Sequence, residues 1–459
     1  MRPRPPLPPG PYLVLGLARS GVAAALALRE RGEEAIGVDA GSPAGLEALE
    51  RAGVELRLGG GLAAGEGAGG ALGMDVGRLL DRVGAVVKSP GVPGDVPVLA
   101  AARARGLPVL GELELAWRLL ENELIAVTGT NGKTTTVELI GHVHREAGLP
   151  VVVAGNVGSA LSGLVGRIER EGTVVCETSS FQLEDTVAFA PQAGVVLNLT
   201  PDHLDRHGTM EAYRDAKLEL FARQEEGDLA VLAEDLANLD VRGAARRVYY
   251  GRGPQATVAL REGALWWRGE RLLEVAELRL RGGHNIENAM AAAAVCLERS
   301  LDPAAVRAGI ASFPGVPHRL EEVARIGGVL YVNDSKATNV ASTLVALRAF
   351  AGAGIHVILG GRGKGQDFGG LRDAVGGCRA VYLIGEAAGL IAAALEGVAA
   401  PVHDCGDLAR ALARARAAAA PGEVVLLSPG CASFDQFEDF EDRGERFREL
   451  VGEGGSSGS

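Results

Sequence analysis

The chain has 459 residues, 58 acidic against 46 basic side chains for a net charge of −12, and 47% hydrophobic against 23% charged residues. That length exceeds a single core at roughly 100–200 residues per domain, and those proportions exclude a disordered or fibrous protein. The negative charge repels phosphate polymers and disfavours nucleic-acid binding. Cys176, Cys296, Cys378, Cys405 and Cys431 form no CxxC pair, which suits a reducing cytoplasm with no disulfide or structural zinc. Lysine occurs only at Lys88, Lys133, Lys217, Lys336 and Lys364, every other basic residue being arginine. A retained lysine is read either as a place where a compact, deprotonatable amine is needed or as chance survival, and both stay open for any single one.

The opening MRPRPPLPPG is basic and proline-rich, and the apolar run after it is too short for a signal sequence or membrane span. The pattern then predicts a strand Tyr12–Leu15, a GLARSG turn, a helix Val22–Arg31 and a strand Ala35–Asp39, a βαβ opening. GLARSG has Ala18 where a dinucleotide fingerprint has its middle glycine. A ribose-binding role for Asp39 and a purely packing role for the glycines both stay open, as does a nicotinamide dehydrogenase. Residues 59–73 read as a mobile Gly/Ala-rich loop. A strand Ala85–Lys88 runs into SPG at its carboxyl end, where open α/β sheets bind ligands.

From Glu112 the segment ELIAVTGTNGKTTTVELIGHV reads as buried strand, glycine loop and helix. Backbone N–H groups of Gly129, Thr130, Asn131, Gly132 and Lys133 would cradle phosphates, with Thr134 a magnesium ligand and Thr135 in the same turn. Val127 stands where a strict GxxxxGK[ST] motif has glycine, so the loop is a variant. The next strand delivers Glu177, placed to bridge a metal, and another apolar strand, Gly194–Leu199, leads to TPDHLDRH and His203. Lys217 lies on a helix expected over Met210–Phe221, with an exposed lysine paired to Glu211 or Asp215 as the alternative to an active one. Val248–Leu273 reads as an appended antiparallel sheet. GGHNIENAMAAAAV opens an alanine-rich helix with Asn285 and Asn288 on one face, where they would read an adenine edge or cap the helix.

PGVPHRLE has hinge composition around Gly315 and Pro317. Beyond it four strands each end in a polar loop, VNDSKATN, GGRGKGQDF, IGE and SPGCASFDQF, expected on one sheet edge. The chain is therefore predicted as α/β with three domains, each a mostly parallel sheet flanked by helices, at 1–111, 112–314 and 315–450, with a flexible tail at 451–459.

At GTNGKTT, TSSFQLE, DHLDRH, GHNIEN, PHRLE, NDSKATN and SPGCASFDQF the chain resembles the Mur ligases of peptidoglycan synthesis, from residue 12 to about 450 with the motifs in order. The resemblance implies a UDP-binding domain, a central ATPase domain with a P-loop-type mononucleotide-binding fold, and a C-terminal domain like a dinucleotide fold. NDSKATN, where related ligases carry a His- or Tyr-bearing segment, implies D-glutamate joined to UDP-N-acetylmuramoyl-L-alanine through an acyl phosphate made with ATP. Lys133, Thr134 and Glu177 would serve ATP and one Mg²⁺, and His203 with Lys217, carbamylated by CO₂, a second. Asn285, Asn288, Arg319 and Asp334 match nucleotide contacts. Ser20, Asp39, Ser89, Asn156, Ser179 and Gln182 match the UDP-substrate site, and Lys336, Thr338, Lys364, Ser433 and the backbone at Phe440 the D-glutamate pocket. Ala40, Gly41 and Arg362 depart from the family pattern. A cytoplasmic monomer without nucleic-acid or membrane partners is expected. An ATP-gated sensor of cell-wall precursor would share the nucleotide motifs.

Overall fold

The structure, a computed structural model, describes residues 3–59, 72–156, 158–280, 282–363 and 365–453. Most of the expected 59–73 loop, Lys364 and residues 454–459 of the expected tail lie outside the described residues. The chain divides into two compact units, Met1–Arg279 with Gly283–Phe313, and Leu280–Gly282 with Pro314–Ser459.

The first unit opens with β1 (Tyr12–Leu15), β2 (Ala35–Asp39), β3 (Glu55–Leu58), β4 (Ala85–Lys88) and β5 (Val109–Gly111), a parallel sheet ordered β3-β2-β1-β4-β5. The first helix spans Arg19–Glu30 and so begins three residues before the expected Val22. Gly21 permits this early start: a Cβ there would stand 1.8 Å from the Gly16 carbonyl oxygen. The glycine thus has a close-packing role of its own.

The second sheet holds β6 (Glu123–Thr128), β7 (Val151–Gly155), β8 (Thr173–Glu177), β9 (Ala193–Val196), β10 (Leu229–Ala233), β11 (Arg246–Gly251), β12 (Val258–Arg261), β13 (Ala264–Trp267) and β14 (Glu270–Glu274). Its order is β14-β13-β12-β11-β10-β9-β6-β8-β7. From β6 to β11 the pairing is parallel, which explains why β6, β8 and β9 are continuous apolar runs, covered on both faces. The antiparallel addition is β12 to β14, hydrogen-bonded to the main sheet through β11. Strand β9 stops at Val196, short of Leu199, and the Lys217 helix ends at Leu218, short of Phe221. The helix Gly283–Glu298 buries Ala289 and Ala291 to Ala294 completely, small side chains that let it lie close to its neighbours.

The second unit carries β15 (Glu321–Ile326), β16 (Val329–Asn333), β17 (Ile355–Gly360), β18 (Ala380–Ile384), β19 (Val402–Gly406) and β20 (Val424–Leu427), ordered β15-β16-β20-β17-β18-β19. All pairings but β15·β16 are parallel, so the loops after β16, β17, β18 and β20 share one sheet edge as expected. The closing helix runs Phe440–Glu453, so residues 451–453 are helical. No helix among the described residues is long and apolar enough to cross a membrane.

Buried charges tie the two sheets of the first unit together. The helix Glu112–Leu119 follows β5 and carries Glu114, whose carboxylate accepts the N–H groups of Val187 (3.0 Å), Ala188 (3.0 Å) and Phe189 (2.9 Å) and pairs with Arg118 at 2.7 Å. Glu112 accepts from Ser162 N–H at 2.7 Å and Oγ at 2.6 Å, while burial raises its pKa. Lys88, wholly buried at the end of β4, bonds Asp185, a residue of the segment following TSSFQLE. An ammonium suits that narrow contact better than a planar guanidinium.

In the second unit Glu423 accepts from Ala420 N–H (2.9 Å), His356 Nε2 (3.0 Å) and Arg379 Nε (2.7 Å). The Ala420 amide, followed by His356 and Arg379, outweighs burial and holds the Glu423 carboxyl down at about 2.

Two outcomes are expected. Lys88→Met strands the Asp185 carboxyl in a dry seam and should cost about 3–5 kcal/mol in urea unfolding, whereas Lys88→Met combined with Asp185→Leu should recover most of it. Glu423 is depressed in the folded state, so its contribution is complete above the ordinary carboxylate pKa of 4.5 and disappears as pH falls from there to about 2. Melting temperatures over that window should fall less steeply for Glu423→Gln than for the parent.

Candidate functional site

The turn from β6 into the helix Lys133–Glu146 places four backbone N–H groups at a helix start, the arrangement that receives anions. Gly132 caps this helix at φ +85°, and a Cβ there would come within 2.2 Å of Asn288 Oδ1, so glycine is required on both counts. Thr130 and Asn131 are fixed from the carboxyl end of the neighbouring β9: Thr130 N–H donates to Asn198 O at 3.0 Å and Asn131 N–H to Asn198 Oδ1 at 2.9 Å. Thr130 Oγ1 reaches Thr200 O and Tyr213 Oη, each at 3.1 Å. Thr135 is buried in the first helical turn.

Two ammonium groups converge on this loop. Lys133 Nζ donates to Gly129 O and Thr130 O, both at 2.9 Å. Lys217 Nζ donates to Gly129 O at 2.9 Å, with Thr128 Oγ1 at 3.4 Å and the Tyr213 ring at 4.6 Å. Lys217 is 2% exposed, which overturns the alternative of a surface lysine paired with Glu211 or Asp215. Burial first, and the neighbouring Lys133 charge second, bring its pKa down to about 7.

Opposite the lysines, Glu177 ends β8, the strand beside β6. Its Oε2 accepts from Thr134 Oγ1 at 2.8 Å and its Oε1 from Asn156 Nδ2 at 2.9 Å. Thr134 and Glu177 therefore present neighbouring oxygens beside the anion-receiving turn, a donor set that fits a hard divalent cation. His203 takes a left-handed φ of 51°, and its half-exposed ring lies 4.9 Å from Phe181 and 3.4 Å from Asp202 Oδ2. Among the described residues no three His, Cys, Asp or Glu side chains surround a common point. A further cation at His203 would need an oxygen donor from another residue type. Asn285 and Asn288 are buried together, with Asn288 Nδ2 on Asn285 Oδ1 at 3.1 Å and Thr136 Oγ1 on Asn288 Oδ1 at 3.3 Å. They brace the glycine loop from behind.

A cavity of about 800 Å³ in the same unit brings together Ser20, Asp39, Ser89, Asn156 and Gln182, from the carboxyl edge of the first sheet and the TSSFQLE helix. Asp39 already accepts two backbone N–H groups, Leu17 at 2.6 Å and Gly41 at 2.8 Å, and so shapes its own turn. Ser89 Oγ donates to Gly16 O at 2.7 Å. Ser179 and Gln182 form a capping box, Ser179 Oγ accepting from Gln182 N–H at 3.3 Å and Gln182 Oε1 from Ser179 N–H at 2.9 Å. Asn156 joins the two regions, since it lines the cavity and holds Glu177.

The second unit gathers its own expected residues around the loops after β16 and β20. Asp334 is buried, accepting from Ser428 Oγ (2.7 Å) and Leu320 N–H (3.2 Å), and burial raises its carboxyl to about 7. Lys336 Nζ lies 5.4 Å from the Phe440 ring, and Thr338 N–H donates to Lys336 O at 2.9 Å. Ser433 is buried, its carbonyl accepting from Gln436 and Phe437 N–H. Arg319 is exposed, in a short bridge with Val316.

Several contributors escaped the sequence reading. Asn198 and Tyr213 anchor Thr130 and Asn131, and His207 is packed against Phe181 at 5.4 Å with Nε2 on Ser180 Oγ at 2.9 Å. Asn198 stands two residues beyond β9 in the run LNLTPDH, a polar residue interrupting an apolar run.

Residues 127–296 match the family described as the Mur ligase middle domain, and residues 318–431 the Mur ligase, glutamate ligase domain. A UDP-N-acetylmuramoylalanine--D-glutamate ligase of Acidobacterium capsulatum is 43% identical over 451 residues, covering 96% of this chain and 95% of that protein. A protein of the same name from Anaeromyxobacter dehalogenans is 45% identical over 475 residues, covering 96% and 97%. Among solved structures, UDP-N-acetylmuramate-alanine ligase from Thermotoga maritima shares the fold with a TM-score of 0.59 at 21% identity, covering 97% of this chain and 100% of that one.

Proposed function

The chain belongs to the Mur ligase family, and we propose that it joins D-glutamate to UDP-N-acetylmuramoyl-L-alanine in an ATP-driven reaction of cytoplasmic peptidoglycan precursor synthesis. The observation that carries this reading is the phosphate loop flanked by Lys133 and Lys217 on one side and by the Thr134–Glu177 pair on the other, in a chain related over nearly its whole length to D-glutamate ligases.

A carboxylate is a poor electrophile, so the L-alanyl carboxylate must first gain a leaving group. Transfer of the terminal phosphoryl of ATP to it gives an acyl phosphate and ADP. The D-glutamate amine then attacks the acyl carbon, the C–O bond to phosphate breaks, and the amide nitrogen loses its proton. Both steps bring anions together, and the residues answer that problem. The N–H groups of Gly129 to Thr135 receive phosphate oxygens, and Lys133 swings from its loop carbonyls onto the transferring phosphoryl group. Thr134 and Glu177 would hold one Mg²⁺ and His203 with carbamylated Lys217 a second, and these ions would supply charge neutralisation for the reacting anions.

Carbamylation deserves its place because an amine must be unprotonated to add to CO₂, and burial holds Lys217 at about 7. The product exchanges a cation that repels metal for an anionic oxygen donor. Asn285, Asn288, Arg319 and Asp334 are assigned to the nucleotide, with Ser20, Asp39, Ser89, Asn156, Ser179 and Gln182 assigned to the UDP-substrate. Lys336, Thr338, Lys364, Ser433 and the Phe440 backbone take D-glutamate, whose two carboxylates call for cationic and hydroxyl donors. The division at 1–111, 112–314 and 315–450 and a monomeric state belong to the same proposal.

Phosphate release should require UDP-N-acetylmuramoyl-L-alanine and D-glutamate, with D-alanine and meso-diaminopimelate rejected. Lys133→Ala should lower kcat at least ~100-fold, the scale of losing a charge-stabilising donor. Rapid ATP hydrolysis without the acceptor, or equal turnover of diaminopimelate, would defeat this reading. For Lys217, ¹³C-bicarbonate should give a carbamate carbon resonance that is absent in Lys217→Arg, and that variant should lose most activity. A parent enzyme with no such resonance would remove the carbamate from the mechanism.

A further inference from the structure

Arg443, in the first turn of the closing helix, is 0% exposed, yet no carboxylate among the described residues forms an ion pair with it. Its fork donates to neutral groups: Nε to Ser335 Oγ at 2.9 Å, Nη2 to Ser335 O at 2.8 Å, and Nη1 and Nη2 to Cys431 O at 3.2 and 3.1 Å. Ser335 passes the link on, its hydroxyl donating to Phe440 O at 2.8 Å. Its hydrogen bonds all go to neutral groups, the Asp435 and Asp334 carboxylates acting on it only through space, and burial lowers its pKa to about 10. Stability alone would favour an apolar side chain there.

The segments it ties together are those assigned above to the amino acid. Ser335 adjoins Lys336 in the loop after β16, Cys431 lies two residues before Ser433 in the loop after β20, and Phe440 opens the helix that carries Arg443 itself. Strands β16 and β20 are adjacent and parallel, so their loops leave one sheet edge side by side. Backbone pairing between Arg362 and Ala432, at 2.8 and 3.2 Å, attaches the loop after β17 to the same point.

We propose that Arg443 is a positioning residue for D-glutamate: its planar fork sets the spacing of the Lys336, Ser433 and Phe440 segments to fit a five-carbon dicarboxylate, without touching the substrate. The inference rests on the D-glutamate reading. Because two loops and a helix start are held by one group, a lysine retaining the charge cannot replace it.

The test measures KM for D-glutamate and for UDP-N-acetylmuramoyl-L-alanine, with kcat and melting temperature, in full-length parent, Arg443→Lys and Arg443→Met. Both variants should raise the D-glutamate KM about 10-fold or more, equivalent to losing one or two charge-assisted bonds, while the acceptor KM stays within about twofold. A parent KM in Arg443→Lys would show that charge rather than the fork matters and would overturn the proposal, as would equal rises in both KM values. Should both variants fail to fold, Ser335→Ala removes only the hydroxyl relay and should raise the D-glutamate KM about threefold, with an unchanged value overturning the proposal. No turnover of D-glutamate by the parent would instead fail the functional reading.

Discussion

One peptide oxygen, the carbonyl of Gly129, accepts hydrogen bonds from both Lys133 and Lys217. The Lys133 charge adds to burial in lowering the Lys217 pKa, and β6 with its parallel neighbours carries the loop between the two side chains. The loop's other contacts follow from this constraint. Asn198 and Tyr213 clamp its outer side, and Asn288 closes against Gly132. With Lys217 carbamylated as proposed, Lys133 would be the cation left to meet an anion at this turn.

The same use of buried charge recurs where the first two sheets meet. Glu114 takes three successive N–H groups, and Lys88 and Asp185 close the seam from the other side. Pairs of this kind are weak sources of net stability, but each is costly to break by halves. They specify one docking of the first sheet on the second. That docking sets the cavity in which Asn156 lies between Ser89 and Glu177.

Much of this was legible from residue order alone. Apolar runs ending in polar, glycine-bearing loops located the central parallel strands, which are buried on both faces, whereas β3, β5, β7, β10 and β19 were missed and the β11 region was read as antiparallel. Lysine scarcity drew attention to Lys88 and Lys217, both buried, yet it could not separate their surroundings: Lys217 lies at the glycine loop, whereas Lys88 joins two layers of the fold. Limits of elements were less legible, as at Arg19 and Leu218, because tertiary packing decides where a helix starts or frays. Glu112, Glu114 and Arg443 carried no signal at all, since a buried charge and a solvated one look the same in an amphipathic helix, and their partners are distant in sequence.

The preference for arginine also has a practical consequence for observing this protein. Lysine side chains carry most of the amine chemistry of a folded chain, and only five are present, two of them at the phosphate loop and one beside Phe440. Incorporating isotopically labelled lysine would reduce a spectrum of a 459-residue protein to a handful of resonances, two of them from the glycine loop. Lys88, sealed in the seam, would serve as the internal reference.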